Sequence, residues 1–213
     1  MTLKKDSVKD LPQPVTQRGE MTRRKLLEAA ENEFGAKGFH NTSIADITKR
    51  ADVGQGTFYL YFPSKEDILR ELVRYMSRSL RLYLSEKVAG IRDRLERERL
   101  GLRAFVDFCF EHKNLYRIVM QAQFVDEAIY QDYYRTIAEG YISGLRSAQA
   151  EGQIRQGDAE AQAWVLMGIA HFLGLRYAIW QEQAPPESVL QEVATFMASG
   201  LRPLAHEREK DGG

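Results

Sequence analysis

Apolar side chains recur at Ile68, Leu72, Met76, Leu80, Leu84 and Val88, a four-residue spacing held for about six turns. A run this long, unbroken by turn residues, reads as one long α-helix, and so long a stripe has to be covered by other elements. The run opens on Ser64-Lys-Glu-Asp67, a capping box with acids in the first turn, and ends near Gly90. Helical periodicity continues through nearly all of the chain, and no segment alternates with period two between hairpin turns. The expected fold class is all-α.

In front of this helix the pattern predicts three shorter ones. "TRRKLLEAAENEFGAKGF" starts on a threonine cap at Thr22, buries Leu26, Leu27, Ala30 and Phe34, and stops at Gly38. "TSIADITKRADVG" offers Ser43 and Asp46 as a capping box, with Ile44, Ile47 and Ala51 as its apolar stripe. A third helix, Gln55–Tyr61, follows after a tight turn and ends before Pro63. Two helices this short bury little alone, so they need the first as a platform. Behind the long helix, others are expected near 96–112, 115–124, 126–150, 158–182 and 186–203, with "EHKN", "EGQIRQGD" and "QAPPES" between them. The expected organisation is a disordered tail over 1–20, a helix-turn-helix unit over 21–66, a larger helical domain over 67–204, and a polar tail over 205–213.

Net charge is zero over 213 residues, so composition gives no general attraction to nucleic acid. The first 65 residues nevertheless carry about three more Lys and Arg than Asp and Glu, and the remainder about three fewer. The N-terminus has charge but no apolar core of a signal peptide. The best membrane candidate, "WVLMGIAHFLGL", is interrupted by His171. The single cysteine, Cys109 between two phenylalanines, reads as a small core residue and suits a reducing cytoplasm.

"GQGTFYLYF", residues 54–62, carries the functional signal. Phe58 and Phe62 lie four apart and can pack on Leu27, Ala30 and Ile47, which leaves polar groups over. Gly54 and Gly56 let a phosphate or base edge come close to the start of the helix. Gln55 can read a base edge, while the hydroxyls of Thr57, Tyr59 and Tyr61 and the cation of Lys65 suit phosphate oxygens. Thr42 and Ser43, opening the preceding helix, can reach phosphate across the groove edge.

"RRKLLEAAENEFGAKGFHN" followed by "TSIADITKRADVGQGTFYLYFPSKEDIL" resembles the DNA-binding region of TetR-family transcriptional regulators, with the run from Gly56 to Ile68 matching G-T-[FL]-Y-x-[YH]-F-x-[SN]-K-E-x-[IL]. The resemblance covers residues 21–70 by motif, and the rest only by helix count and length. It implies that Gln55 and Gly56 face bases and that Thr42, Ser43, Thr57, Tyr59, Tyr61 and Lys65 touch the sugar-phosphate backbone. Ala45 departs from members that read a base with a basic residue there, which shifts base readout onto Gln55, the backbone at Gly56, and Lys49 or Arg50. Repression is the family's usual sense.

So small a unit makes few base contacts, so a homodimer on a palindromic operator is expected, with half-sites about 34–36 Å apart or a multiple. The seam is expected on the last two long helices, at Trp164, Gly168, Phe172, Val193, Phe196, Met197 and Leu201, with Gly174 also permitting close approach. The aromatic density between 102 and 180 predicts a largely apolar pocket for a small lipophilic effector, an acyl-CoA or an aromatic compound. Its expected lining is Phe105, Phe108, His112, Tyr116, Arg117, Met120, Gln121, Phe124, Tyr134, Trp164, His171, Leu175 and Trp180, with "EHKNLYRIVMQAQF" at the mouth. The resemblance implies that filling the pocket moves the long helix.

An enzyme is not expected. His40, His112, His171 and His206 include no pair at metal-ligand spacing, and no G-x-S-x-G or phosphate-binding loop is present, so neither cofactor nor metal is anticipated. The other reading is a helical scaffold, or a small-molecule-binding protein, that does not touch DNA.

Overall fold

The computed structural model describes residues 16–203, and among these every regular element is helical. In chain order they are α1 (Gln17–Lys37), α2 (Ile44–Ala51), α3 (Gln55–Tyr61), α4 (Lys65–Lys87), α5 (Arg94–Glu111), α6 (Lys113–Ala122), α7 (Glu127–Ala150), α8 (Ala159–Gly174), a π-helical continuation (Leu175–Gln181) and α9 (Glu187–Leu201). The remainder of the N-terminal tail and residues 205–213 lie outside the described part.

α1 starts a turn and a half earlier than its threonine pattern predicts. The cap is Thr16, whose hydroxyl accepts from the Gly19 N–H, so residues 17–20 are helix rather than tail. Gly38 closes the helix at φ 84°, backbone that favours glycine. α2 has the full capping box of Ser43 and Asp46. α4 begins at Ser64, whose hydroxyl accepts from the Asp67 N–H. The expected "EHKN" separator is absent: α5 and α6 meet at His112 alone.

Two apolar clusters fill the molecule. One joins Leu26, Phe34, Ile47, Phe58 and Phe62 to Ile68, Leu72 and Met76 of α4, and onward to Tyr116 and Val119 of α6. The N-terminal three helices therefore share their core with α4 and α6. The second holds Leu102 and Val106 of α5, Leu145 of α7, Leu166 of α8 and Met197 of α9. Cys109 is fully buried, and burial pushes its thiol far above the usual range.

Ala159–Gln181 is long and apolar enough, by length and composition, to cross a membrane. His171 does not break the run, because α8 passes directly into the π turn. One side of this helix packs on α5 and α7, while Val165, Phe172 and Trp180 stand exposed on the other.

Candidate nucleic-acid interface and ligand cavity

α3 turns Phe58, with Phe62 at its C-cap, inward and leaves most of its other side chains toward solvent. Phe58 and Phe62 are fully buried against the platform. Gln55 and Gly56 are exposed, Thr57 and Tyr61 half-buried, and Tyr59 is 55% exposed. A Cβ added at Gly54 or Gly56 would meet no atom within 4 Å, and neither has a positive φ. The chain itself has no use for a missing side chain there. Lys49 and Ala45 are exposed on α2.

Three sequence expectations change on this face. Thr42 is fully buried; its hydroxyl donates to the carbonyls of Gly38, 2.8 Å, and Glu33, 3.2 Å. It fastens the α1–α2 turn and cannot reach phosphate. Lys65 donates through Nζ to the carbonyls of Phe39, 2.8 Å, and Thr42, 2.7 Å, and lies over the Phe39 ring. Two of its three protons are committed, so it is first a clamp on the same turn. Arg50 is tied to Glu33 at 2.5 Å, which leaves Lys49 as the freer cation of the pair.

The charges beneath the face set its geometry. Glu33, buried in α1, pairs with the Lys37 ammonium at 2.7 Å and accepts from Arg50 at 2.5 Å. Those two cations hold its carboxyl below the usual range. Asp46 is lowered to about 2, chiefly by the Ser43 hydroxyl and N–H and secondarily by Lys37. Ser43 is exposed, but its hydroxyl already serves this cap.

α6 joins this unit to the rest. The Gln121 side-chain carbonyl accepts from the Phe39 N–H at 2.7 Å, and its amide donates to the Phe34 carbonyl at 3.4 Å. Gly35 lies so close to Asn114 that a Cβ there would come within 2.4 Å of its side chain. Arg70 of α4 bonds Asp126 at 2.5 Å beside the α6–α7 turn. The segment "EHKNLYRIVMQAQF" is thus a junction and not a pocket mouth. Lys113 and Arg117 face Glu182 at the end of the π turn, at 3.9 and 2.8 Å.

A cavity of about 410 Å³ lies between α4, α5, α7 and α8, within the range of small-molecule sites. Of the residues expected to line it, Phe105, Tyr116, Tyr134 and His171 do so. Phe108 and Leu175 are core, and Met120 packs against that core. His112 stacks on Phe108, centroids 4.3 Å apart. Gln121 and Arg117 are engaged at the junction, while Phe124 and Trp180 are exposed away from the cavity. Trp164 lines not the cavity itself but an adjoining open groove, beside Tyr130 and Arg135, that shares Tyr134, Met167 and His171 with it.

The inner end holds a polar cluster. The Tyr116 hydroxyl lies 2.9 Å from His171 Nδ1 and 3.0 Å from the His171 carbonyl, which can only accept. Donating to the carbonyl, Tyr116 accepts from Nδ1–H, which makes Nε2 an acceptor. Burial lowers the imidazole's pKa, which favours its neutral form. The other end has a buried charge pair that the sequence reading missed. Arg94 and Glu98, each 6% exposed, pair at 2.6 Å, and Tyr141 donates to the second Glu98 oxygen. Their i,i+4 spacing was visible, but the same spacing usually marks a solvated helix face.

The expected seam residues divide. Phe172 and Phe196 are 64% and 70% exposed, Trp164 is exposed, and a Cβ at Gly168 would meet nothing. Val193 is half-buried. Met197 and Leu201 are buried in their own chain, where the stripe of α9 faces α5, so they belong to the core instead. Gly174 permits a close approach inside the chain, to Phe105, Cys109 and Tyr116.

The model of bacterial regulatory proteins of the tetR family matches residues 26–72. The HTH-type transcriptional regulator YdgC of Bacillus subtilis (strain 168) is 28% identical over 197 residues, covering 89% of this chain and 97% of the relative. Salmonella enterica GusR superposes with TM-score 0.76 at 24% identity, over 89% of this chain and 99% of that one. FadR from Bacillus subtilis in complex with stearoyl-CoA superposes with TM-score 0.73 at 19% identity, over 83% and 98%. The matched residues 26–72 take in the whole outward face of α3 and the clamp beneath it, and over them the chain is similar to the TetR family of bacterial regulatory proteins.

Proposed function

We propose that the protein is a cytoplasmic repressor that binds a palindromic operator as a homodimer and lets go when a small lipophilic effector enters the cavity. The observation that carries this reading is the outward face of α3, where Gln55, Gly56 and Tyr59 are exposed above a fully buried Phe58/Phe62 pair. Gln55 reads a base edge, Thr57, Tyr59 and Tyr61 hold phosphates, and Ser43 stands at the groove edge. The bared aromatics of α8, the π turn and α9 supply the dimer seam, which sets two α3 helices on one face of a duplex. Effector and operator compete through α6, which contributes Tyr116 to the cavity and Gln121 to the DNA-binding unit. A tenfold loss of DNA affinity requires about 1.4 kcal/mol of differential effector binding. The stearoyl-CoA in the related fold of FadR supports an acyl compound as effector.

Selection from random duplexes tests the reading: a palindrome should be enriched, and Gln55→Ala should relax one base position per half-site by about 1–3 kcal/mol. Enrichment of no sequence would refute it.

A further inference from the structure

The cavity is not uniform along its length, and its asymmetry names the chemistry of its occupant. It follows α5 from Arg94 to Phe105, about 16 Å at the helical rise. Between those residues the wall is apolar, supplied by Leu84, Leu102, Ile137 and Met167 among others. At the α4–α5 end stand three arginines. Arg81 and Arg97 are exposed and meet no carboxylate among the described residues. Arg94 is 6% exposed, and its bonds to Glu98 run through Nε and Nη2. Its Nη1 lies over Gly144, where a Cβ would come within 2.8 Å, and has no hydrogen-bond partner among the described residues. This nitrogen is not sealed off by the protein, so an acceptor in the cavity can reach it.

Among the described residues Glu98 is the only acidic one in the lining, and both of its oxygens are taken, one by Arg94 and one by Tyr141. Its charge is offset within the wall, so Arg81 and Arg97 remain as a positive surplus at this end. The opposite end offers only neutral groups: the Tyr116–His171 pair and the hydroxyl of Tyr133, which bonds to no described residue and opens on the cavity.

Resting on the effector reading above, we infer that the cavity takes a single-chain amphipathic anion. The head group sits on Arg94 Nη1 between Arg81 and Arg97, and the chain runs along α5 toward Tyr133. Carbon–carbon bonds of about 1.5 Å in a zigzag let about a dozen carbons fill about 16 Å. A flat aromatic or a lipophilic cation meets the wrong shape or the wrong charge. A free carboxylate and an acyl thioester carrying phosphates further out share this chemistry.

Titration calorimetry on the full-length protein separates these outcomes, using dodecanoate, dodecanoyl-CoA, dodecanol and dodecyltrimethylammonium. Both anions, or one of them, should bind at least tenfold more tightly than the alcohol, and the cation least. Dodecanoate alone identifies the free acid, whereas dodecanoyl-CoA alone identifies the thioester; either supports the head-group site. Arg81→Glu/Arg97→Glu, two surface changes that leave the core intact, should remove that preference while dodecanol still binds. Equal binding of cation and anion, or an anion preference untouched by the double change, overturns the inference but leaves a lipophilic effector standing. Binding of none of the four removes the effector reading itself, while operator selection remains free to succeed.

Discussion

The side-chain carbonyl of Gln121 accepts a 2.7 Å hydrogen bond from the backbone N–H of Phe39, 82 residues earlier in the chain. Phe39 is 4% exposed, so water does not replace this acceptor. Five residues before Gln121, Tyr116 stands in the cavity wall. Any shift of α6 that the cavity imposes therefore arrives at the turn that positions α2 and α3.

Gln121→Leu should leave effector affinity within about twofold while cutting the effector's influence on operator affinity at least fivefold. The orphaned Phe39 N–H should cost about 1–3 kcal/mol in urea unfolding. Calorimetry with and without operator checks both. A coupling left intact would show that the junction works through other contacts.

Lys65→Met removes two charge-assisted hydrogen bonds to the Phe39 and Thr42 carbonyls. About 2–3 kcal/mol of stability should go with them. The salt dependence of operator binding, measured by fluorescence anisotropy, should change by less than one unit of slope per half-site, because most of the charge is spent inside the protein.

Asp46 titrates at about 2 in the folded chain against an ordinary 3.8. A carboxyl lowered on folding stabilises the native state above its unfolded pKa, and that contribution vanishes as pH falls through the folded value. Glu33 is lowered in the same direction. Stability from urea titrations should therefore fall between pH about 4.5 and about 2, and Asp46→Asn should flatten part of that fall. An equal slope in the variant would take Asp46 out of the account.

Phe172 is 64% exposed on the apolar side of α8. Phe172→Glu places a charge where a second copy would pack and should convert dimer to monomer in sedimentation velocity, with helical content unchanged. Operator affinity should drop at least a hundredfold, since half-sites are then bound singly. A variant that still sediments as a dimer would move the seam elsewhere.

The helices and the outward side of α3 were legible because their causes are local. Ser43 with Asp46, Gly38, and Phe58 four residues before Phe62 each act within one or two turns, and periodicity reports them directly. The cavity was half legible: Phe105, Tyr116, Tyr134 and His171 line it, while Phe108, Met120 and Leu175 have the same composition and are core. Aromatic content does not say which side of a helix meets a void.

What the sequence by itself determined is the all-α chain and which side of α3 looks outward, since Phe58 on the helix and Phe62 at its C-cap leave only one way to bury it. The tertiary structure alone decided the work of the polar side chains. Thr42, Lys65 and Gln121 could have faced a ligand as readily as a carbonyl. Their partners lie 4 to 87 residues away, and a polar side chain's role is set by whichever unsatisfied backbone group folding brings within hydrogen-bonding reach.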